Sequence, residues 1–348
     1  MTRIDIISGF LGAGKTTLIN RLIHEAYKGE KIVLIENEFG EIGIDGGFLK
    51  DAGIEISEMN SGCICCSLVG DFSEALKKVV EEYSPDRILI EPSGVGKLSD
   101  VTKAVLAAEL ENAEINSSVA VVDVNKCKMY MKNFGEFFGD QIENAGCVLF
   151  SHTDKTTDAK LEEALALVRE KNADAVIITT PADKLPIDSL ISALEQKSTL
   201  KAHVEALIEE DACPVCGHHH DHHEHHHHDH DEEHEHEHEH HHHDHDHHGH
   251  HHHHHADDVF TSWGRETVKK FSKKEITAIL EALEDSDKYG MILRAKGMVE
   301  CPCGKWIYFD YVPGEPDVRE GSPEAIGKLC VIGSKINEDA ISALFGVK

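Results

Sequence analysis

Long apolar runs are missing from this sequence. No stretch in its 348 residues approaches the roughly 20 apolar residues that a membrane-crossing helix needs, so no membrane partner is expected. No charged-then-apolar leader precedes the first apolar run, which starts within a few residues of Met1. The expectation is a cytoplasmic protein. Positive charge is also scarce: 34 Lys and Arg stand against 64 Asp and Glu, a formal charge of −30 at pH 7. That sign repels phosphate backbones, so no nucleic-acid partner is expected. It favours solubility and draws cations. With no export signal, close-set cysteines point to metal before disulfides.

What is present is organised around Ser8–Leu18, SGFLGAGKTTL. Gly9, Gly14, Lys15 and Thr16 fall on the pattern G-x-x-x-x-G-K-S/T. Its glycines let backbone N–H groups turn inward around phosphate oxygens. Lys15 brings a point charge to the β- and γ-phosphates, and Thr16 offers a hydroxyl to Mg²⁺. The context fits: Arg3–Ser8 reads as a buried strand, and Lys15–Tyr27 places Leu18, Leu22 and Ile23 on one helical face. Such a helix points its positive end at the phosphates. A glycine-rich strand-to-helix turn with no ligand is the bland alternative.

Further apolar runs, at 31–35, 54–56, 87–90, 118–124, 147–150 and 175–178, alternate with helical patterns at 72–80, 161–168 and 187–194. The expected fold is α/β, a P-loop NTPase parallel sheet with helices on both faces. Strand order does not follow from the sequence. Helical patterns at 271–283 and 336–345, with strands at 290–294, 306–311 and 329–332, predict a small α+β C-terminal domain. The expected divisions are 1–198, a linker over 199–257 and 258–348. The linker holds His218–His255, whose 38 residues are 26 His, 11 Asp or Glu and Gly249. With no apolar residue, this segment is expected to be disordered without metal.

Seven of the ten cysteines are clustered. Cys63, Cys65 and Cys66 put three thiolates within four residues, enough to begin a site for Zn²⁺, Cu⁺ or Co²⁺; buried, metal-free thiols are the alternative. Cys213 and Cys216 lie in a C-P-x-C-G turn, and Cys301 and Cys303 in C-P-C-G. Neither pair completes a tetrahedral site, but together they would make a Cys₄ zinc. Cys127, Cys147 and Cys330 stand alone among apolar residues, as small core residues do. The histidine run suits Zn²⁺, Ni²⁺, Co²⁺ and Cu²⁺ as a multi-site, exchangeable binder. An expression tag is the alternative, but the run is internal and interleaved with acids. His24 and His203 read as solvent-facing.

Polar, glycine-broken residues 36–47, ENEFGEIGIDGG, follow the second strand. Glu91-Pro92-Ser93-Gly94 ends the 87–90 strand, where a P-loop enzyme senses Mg²⁺ and γ-phosphate. Together with the P-loop and N-S-G-C-I-C-C, these motifs resemble the CobW family of P-loop GTPases over nearly the whole chain except the histidine run. The resemblance implies a GTP-dependent metallochaperone or metal-insertion factor, with GTP and Mg²⁺ as cofactors and Zn²⁺, Co²⁺ or Ni²⁺ as cargo. It places Gly12, Ala13, Gly14, Lys15, Thr16 and Thr17 on the phosphates, with Thr16 on Mg²⁺. Glu38 would lie near phosphate and metal, and Glu91 falls on the E-x-S-G strand end. Lys15, Thr16, Glu38 and Glu91 are the candidate catalytic residues. The cargo metal would sit on Cys63, Cys65 and Cys66, with nucleotide state gating its release. Where such GTPases read guanine with N-K-x-D, this chain has Ser151-His152-Thr153-Asp154; Asp154 remains to pair with the ring N–H and 2-amino donors. A client metalloprotein and a homodimer are the expected partners. A histidine-rich metal buffer with a regulatory nucleotide domain, and an ATP-driven enzyme with a catalytic cysteine site, are the rival readings.

Overall fold

The structure, a computed structural model, describes residues 1–36, 55–58, 69–195 and 256–347. Its first seven strands are β1 (Thr2–Gly9), β2 (Ile32–Glu36), β3 (Glu55–Glu58), β4 (Arg87–Glu91), β5 (Ala113–Asp123), β6 (Cys147–Ser151) and β7 (Val176–Ile178). They form one sheet in the order β3-β2-β4-β1-β5-β6-β7, and every neighbouring pair is parallel. Parallel neighbours require crossovers, supplied among the described residues by α1 (Lys15–Arg21), α2 (Val69–Tyr83), α3 (Leu98–Ala107), α4 (Cys127–Glu143) and α5 (Asp158–Lys171), while α6 (Ile187–Leu194) follows β7 and packs Leu190 and Leu194 on one face of the sheet.

The strands are continuous apolar runs because both sheet faces are covered. On β4, Ile88 and Ile90 face a layer with Phe72, Leu76, Val101 and Phe138. Leu89, one residue out of phase, faces the opposite layer with Leu18, Ile19 and Leu190. At the opposite end of the sheet from the P-loop, Arg87 is 1% exposed. It pairs with Asp5, with Glu30 at 2.7 Å and with Glu195 at 3.3 Å, and its guanidinium lies 3.6 Å from the Tyr27 ring centroid.

The remaining strands are β8 (Thr261–Thr267), β9 (Met291–Glu300), β10 (Trp306–Val312), β11 (Glu315–Gly321) and β12 (Gly327–Ser334). They form a second sheet in the order β11-β10-β9-β12-β8, antiparallel throughout. Trp263, Phe309, Ile276, Leu280 and Phe345 build its own core beneath helices Lys273–Ala282 and Glu338–Phe345. The second sheet also meets the first: Phe260, Leu293, Cys330 and Ile332 join the core layer that holds Phe10 and Tyr130.

Four elements of seven residues or more have no counterpart in the periodicity. Over 315–321, EPDVREG carries one aliphatic side chain, because β11 is an edge strand with little to bury. Thr261–Thr267 is similarly half-exposed at the other edge. The sequence of α4 is broken by Gly135 and Gly139, and its backbone kinks at Phe134 (φ −136°, ψ 32°). Leu98–Ala107 is a short helix directly after the Glu91–Gly94 turn.

Candidate functional site

β1 ends at Gly9 and α1 begins at Lys15, so the P-loop is the strand-to-helix turn that the spacing predicts. Gly12 (φ 72°) and Gly14 (φ 99°) occupy left-handed conformations open to glycine at little cost. Gly14 is the N-cap of α1, and no side chain caps that helix. The N–H groups of its first turn, from Lys15 to Thr17, are therefore available to an anion. Lys15 is 6% exposed. Its Nζ donates to the Gly9 carbonyl at 2.8 Å and lies 3.9 Å from Glu91 Oε1. Thr16 Oγ1 donates to the same Glu91 oxygen at 3.5 Å. Glu91 arrives there because β4 is the immediate neighbour of β1, with Ile6 opposite Ile90. Lys15, Thr16 and Glu91 are thus brought into one cluster across 75 residues of chain.

The loop is held rigidly from behind. Phe10 is buried, its ring centroid 4.4 Å from Tyr130 and 5.6 Å from Phe134 on α4, and 6.1 Å from Phe260. A Cβ on Gly94 would come within 2.7 Å of Leu11, so the turn after Glu91 presses directly on the loop. The spacing motif treats Phe10 and Leu11 as variable positions, and only the fold shows that they anchor it.

A second turn beside the P-loop follows β6. A Cβ on Gly14 would lie 3.9 Å from Ser151 Cβ, so this turn abuts the P-loop. His152 takes a left-handed conformation (φ 57°), and Thr153–Lys155 form one 3₁₀ turn that leaves Asp154 exposed. Ser151 Oγ and Thr153 Oγ1 are buried without a hydrogen-bond partner among the described residues. They are polar atoms that a ligand could satisfy.

Glu38, Cys63, Cys65, Cys66, Cys213, Cys216 and His203 lie outside the described residues. The strands that lead to two of these segments are described. Glu36, at the end of β2, is in register with Glu91 on one side and with Glu58, at the end of β3, on the other. The chain therefore leaves for Glu38 and for Cys63 from the strand ends beside Glu91.

The sequence pointed to free thiolates at Cys301 and Cys303. The structure brings the two sulfurs face to face across the turn, and metal ligation by the pair needs both as reduced thiolates. The turn is otherwise as anticipated: the Cys303 N–H points at Cys301 Sγ at 3.3 Å, the geometry of a thiolate-holding knuckle. Cys127, Cys147 and Cys330 are buried and take part in no disulfide. Burial pushes the Cys127 thiol up to about 12, with Asp123 and Glu163 adding to the shift, and pushes Cys147 up to about 12. Both are core residues, not ligands. His24 is exposed.

A family profile for the CobW/HypB/UreG nucleotide-binding domain matches residues 3–179. The chain is 34% identical to the zinc chaperone YeiR of Escherichia coli over 166 residues, 47% of this chain and 50% of that protein. It is 33% identical to the zinc chaperone CobW of Pseudomonas aeruginosa over 225 residues, 54% of this chain and 59% of that protein. The chain thus spans about half the length of these curated relatives. A Zn(II)-bound YjiA GTPase from E. coli aligns over 100% of this chain and 99% of its own at 20% identity, with a TM-score of 0.43. Among the described residues, no helix is long and apolar enough to cross a membrane.

Proposed function

This chain belongs to the CobW/HypB/UreG nucleotide-binding family, and from that premise we propose that it hydrolyses GTP and uses the cycle to deliver a transition metal, zinc first, to a client protein. The observation that carries the hydrolase reading is the Lys15–Thr16–Glu91 cluster at the mouth of an uncapped helix. Backbone N–H groups of the P-loop hold the phosphates. Lys15 leaves the Gly9 carbonyl and Glu91 to neutralise charge on the transferring phosphoryl group. The Thr16 hydroxyl and Glu91 carboxylate, 3.5 Å apart, are hard oxygen donors of the kind Mg²⁺ takes, and they would hold it directly or through water. Bound there, Mg²⁺ supplies charge neutralisation at the β- and γ-phosphates. Asp154 accepts from the guanine edge.

The relatives named zinc chaperones support zinc as the cargo. Cys63, Cys65 and Cys66 are its expected thiolate ligands. The register of Glu36, Glu58 and Glu91 supports a link between the two chemistries, because the segments with Glu38 and the cysteines depart from adjacent strand ends on the nucleotide side. Ligand-dependent ordering there would change both affinities reciprocally.

The test is a zinc titration with a non-hydrolysable GTP analogue, with GDP and with no nucleotide, on a chain lacking residues 218–255, whose many imidazoles would mask one site. Zinc should bind roughly 5–150-fold more tightly in the GTP-analogue state than with GDP. Cys65→Ala with Cys66→Ala should remove the difference and spare GTP binding. One affinity in all three states would reject the delivery mechanism. It would favour the buffer reading, which the 26 histidines of 218–255 support.

A further inference from the structure

The junction between the two sheets contains a donor cluster that neither the P-loop nor the cysteines account for. Asp123 is the last residue of β5, and His152 follows β6. Glu315 is the first residue of β11. One ligand atom from each of these three lies within 4.8 Å of the others. Asp123 is 2% exposed. Its Oδ1 accepts from the Asn125 N–H at 2.9 Å, while Oδ2 accepts no hydrogen bond although it is buried. Instead Oδ2 lies 3.3 Å from His152 Nδ1 and 3.3 Å from Lys126 Nζ. Two donors about 2.0–2.1 Å from one tetrahedral zinc ion are themselves about 3.3 Å apart, which is the separation of Asp123 Oδ2 and His152 Nδ1. Lys126 Nζ also contacts Glu315 Oε1 at 2.9 Å. A monovalent ammonium therefore already sits between the two carboxylates, on the cation side of the cluster. The Glu315 side chain is 49% exposed, so it has room to swing onto an ion.

We propose that Asp123, His152 and Glu315 form a second metal site, for Zn²⁺ or a cation of the same borderline class, that ties the C-terminal sheet to the turn carrying Asp154. Two carboxylates and an imidazole are a donor set for zinc that leaves a fourth position to water. The ion takes the place of the Lys126 ammonium, which swings out to solvent. Glu315 pairs with Val312 across the β10–β11 turn, and a Cβ on Gly12 would come within 2.4 Å of Val312 Cγ1. The hairpin tied by the metal is therefore the one that leans on the P-loop. This site deepens the metal reading above, but it uses neither the cysteines nor the nucleotide.

The experiment is hydrogen exchange on the full-length, nucleotide-free chain across a Zn²⁺ titration, read at amides of residues 315–321 and 151–155. The readout is local and free Zn²⁺ is set by a metal buffer, so ions held elsewhere on the chain neither register nor shift the midpoint. Zinc should slow exchange in both segments in the wild type, and it should not in His152→Gln or Glu315→Gln. Glu315 lies on an exposed edge, so that variant keeps the test valid if His152→Gln folds poorly. Lys126→Ala gives the opposing sign: it should move the zinc midpoint roughly tenfold lower, because one charge-assisted hydrogen bond no longer has to be broken. Were the quartet only an ion-pair latch, Lys126→Ala would loosen both segments and zinc would not restore them. That result overturns the proposal, as does zinc protection that survives Glu315→Gln. Cys65→Ala with Cys66→Ala should leave the titration unchanged, which separates this site from the cargo reading.

Discussion

At Lys15 a buried ammonium is shared between the Gly9 carbonyl at 2.8 Å and the Glu91 carboxylate at 3.9 Å. One contact is to the loop's own backbone and the other to the end of the neighbouring strand β4, so the side chain is pre-positioned at the phosphate site. Lys15→Ala should lower GTP turnover by at least about 100-fold, measured as phosphate release, while the metal content of the purified protein stays near wild type. Retained turnover would remove the assigned role. Arg87 lies at the opposite end of the sheet and makes a different case. Its guanidinium satisfies Asp5, itself 1% exposed, together with Glu30 and Glu195. Arg87→Met would fill the volume but leave Asp5 buried without its counter-charge; Asn116 and Ser117 alone would then hydrogen-bond it. The expected loss is about 3–5 kcal/mol in chemical denaturation. A loss within 1 kcal/mol would show that the network is dispensable for stability.

Among elements, the turn after β6 would carry the nucleotide choice under the proposed function. It abuts Gly14 and presents Asp154 on one exposed 3₁₀ turn. A carboxylate accepts both guanine donors, whereas an amide offers one acceptor and a competing N–H. Asp154→Asn should therefore weaken GTP binding roughly 10–100-fold, the worth of one charge-assisted hydrogen bond, with ATP affinity little changed. Competition titrations in which wild type already binds ATP and GTP equally would defeat the guanine reading. The strands β1, β4, β5 and β6 were legible as apolar runs because parallel strands covered on both faces have no polar alternation to confuse. α4 was not legible. Its apolar positions serve an aromatic cluster shared with Phe10 and Phe260, and two glycines and a kink interrupt the helical period. β11 has almost no apolar content, and its pairing with β10 rests on backbone hydrogen bonds.

For the whole molecule, charge and cores divide the labour. Residues 218–255 contribute −11 of the −30 charge and no apolar side chain, so they cannot add to either core. Deleting them should leave GTP turnover and the metal-free melting temperature within error of wild type, and should lower the number of zinc ions bound per chain. A large drop in melting temperature in chelator would show that the segment is structural. In the intact chain, zinc stoichiometry should fall below about pH 6, because imidazoles with an ordinary pKa of ~6.5 must lose a proton to ligate. Zinc retained at pH 5 would assign the ions to thiolates. The two sheets share one aromatic layer through Phe10, Phe134 and Phe260, and Val312 and Glu315 reach the nucleotide-binding loops. Events at the P-loop and in the second sheet are thereby mechanically adjacent.

What the sequence determined by itself was local chemistry. A phosphate loop needs glycines, a lysine and a hydroxyl at fixed spacing within one strand-to-helix turn, and all of that is written in the eight consecutive residues Gly9–Thr16. The same holds for Cys301–Gly304, whose turn follows from its proline and glycine. Tertiary structure alone decided which distant residues meet. Glu91 reaches Thr16 because β4 pairs with β1. Asp123, His152 and Glu315 carry no motif; they converge because β5 and β6 end side by side and an edge hairpin of the second sheet folds over them. Side-chain spacing along a chain encodes what a backbone turn can gather. Sheet order and the packing of one sheet on another are set by burial summed over the whole molecule, so the contacts they create leave no periodic trace in the sequence.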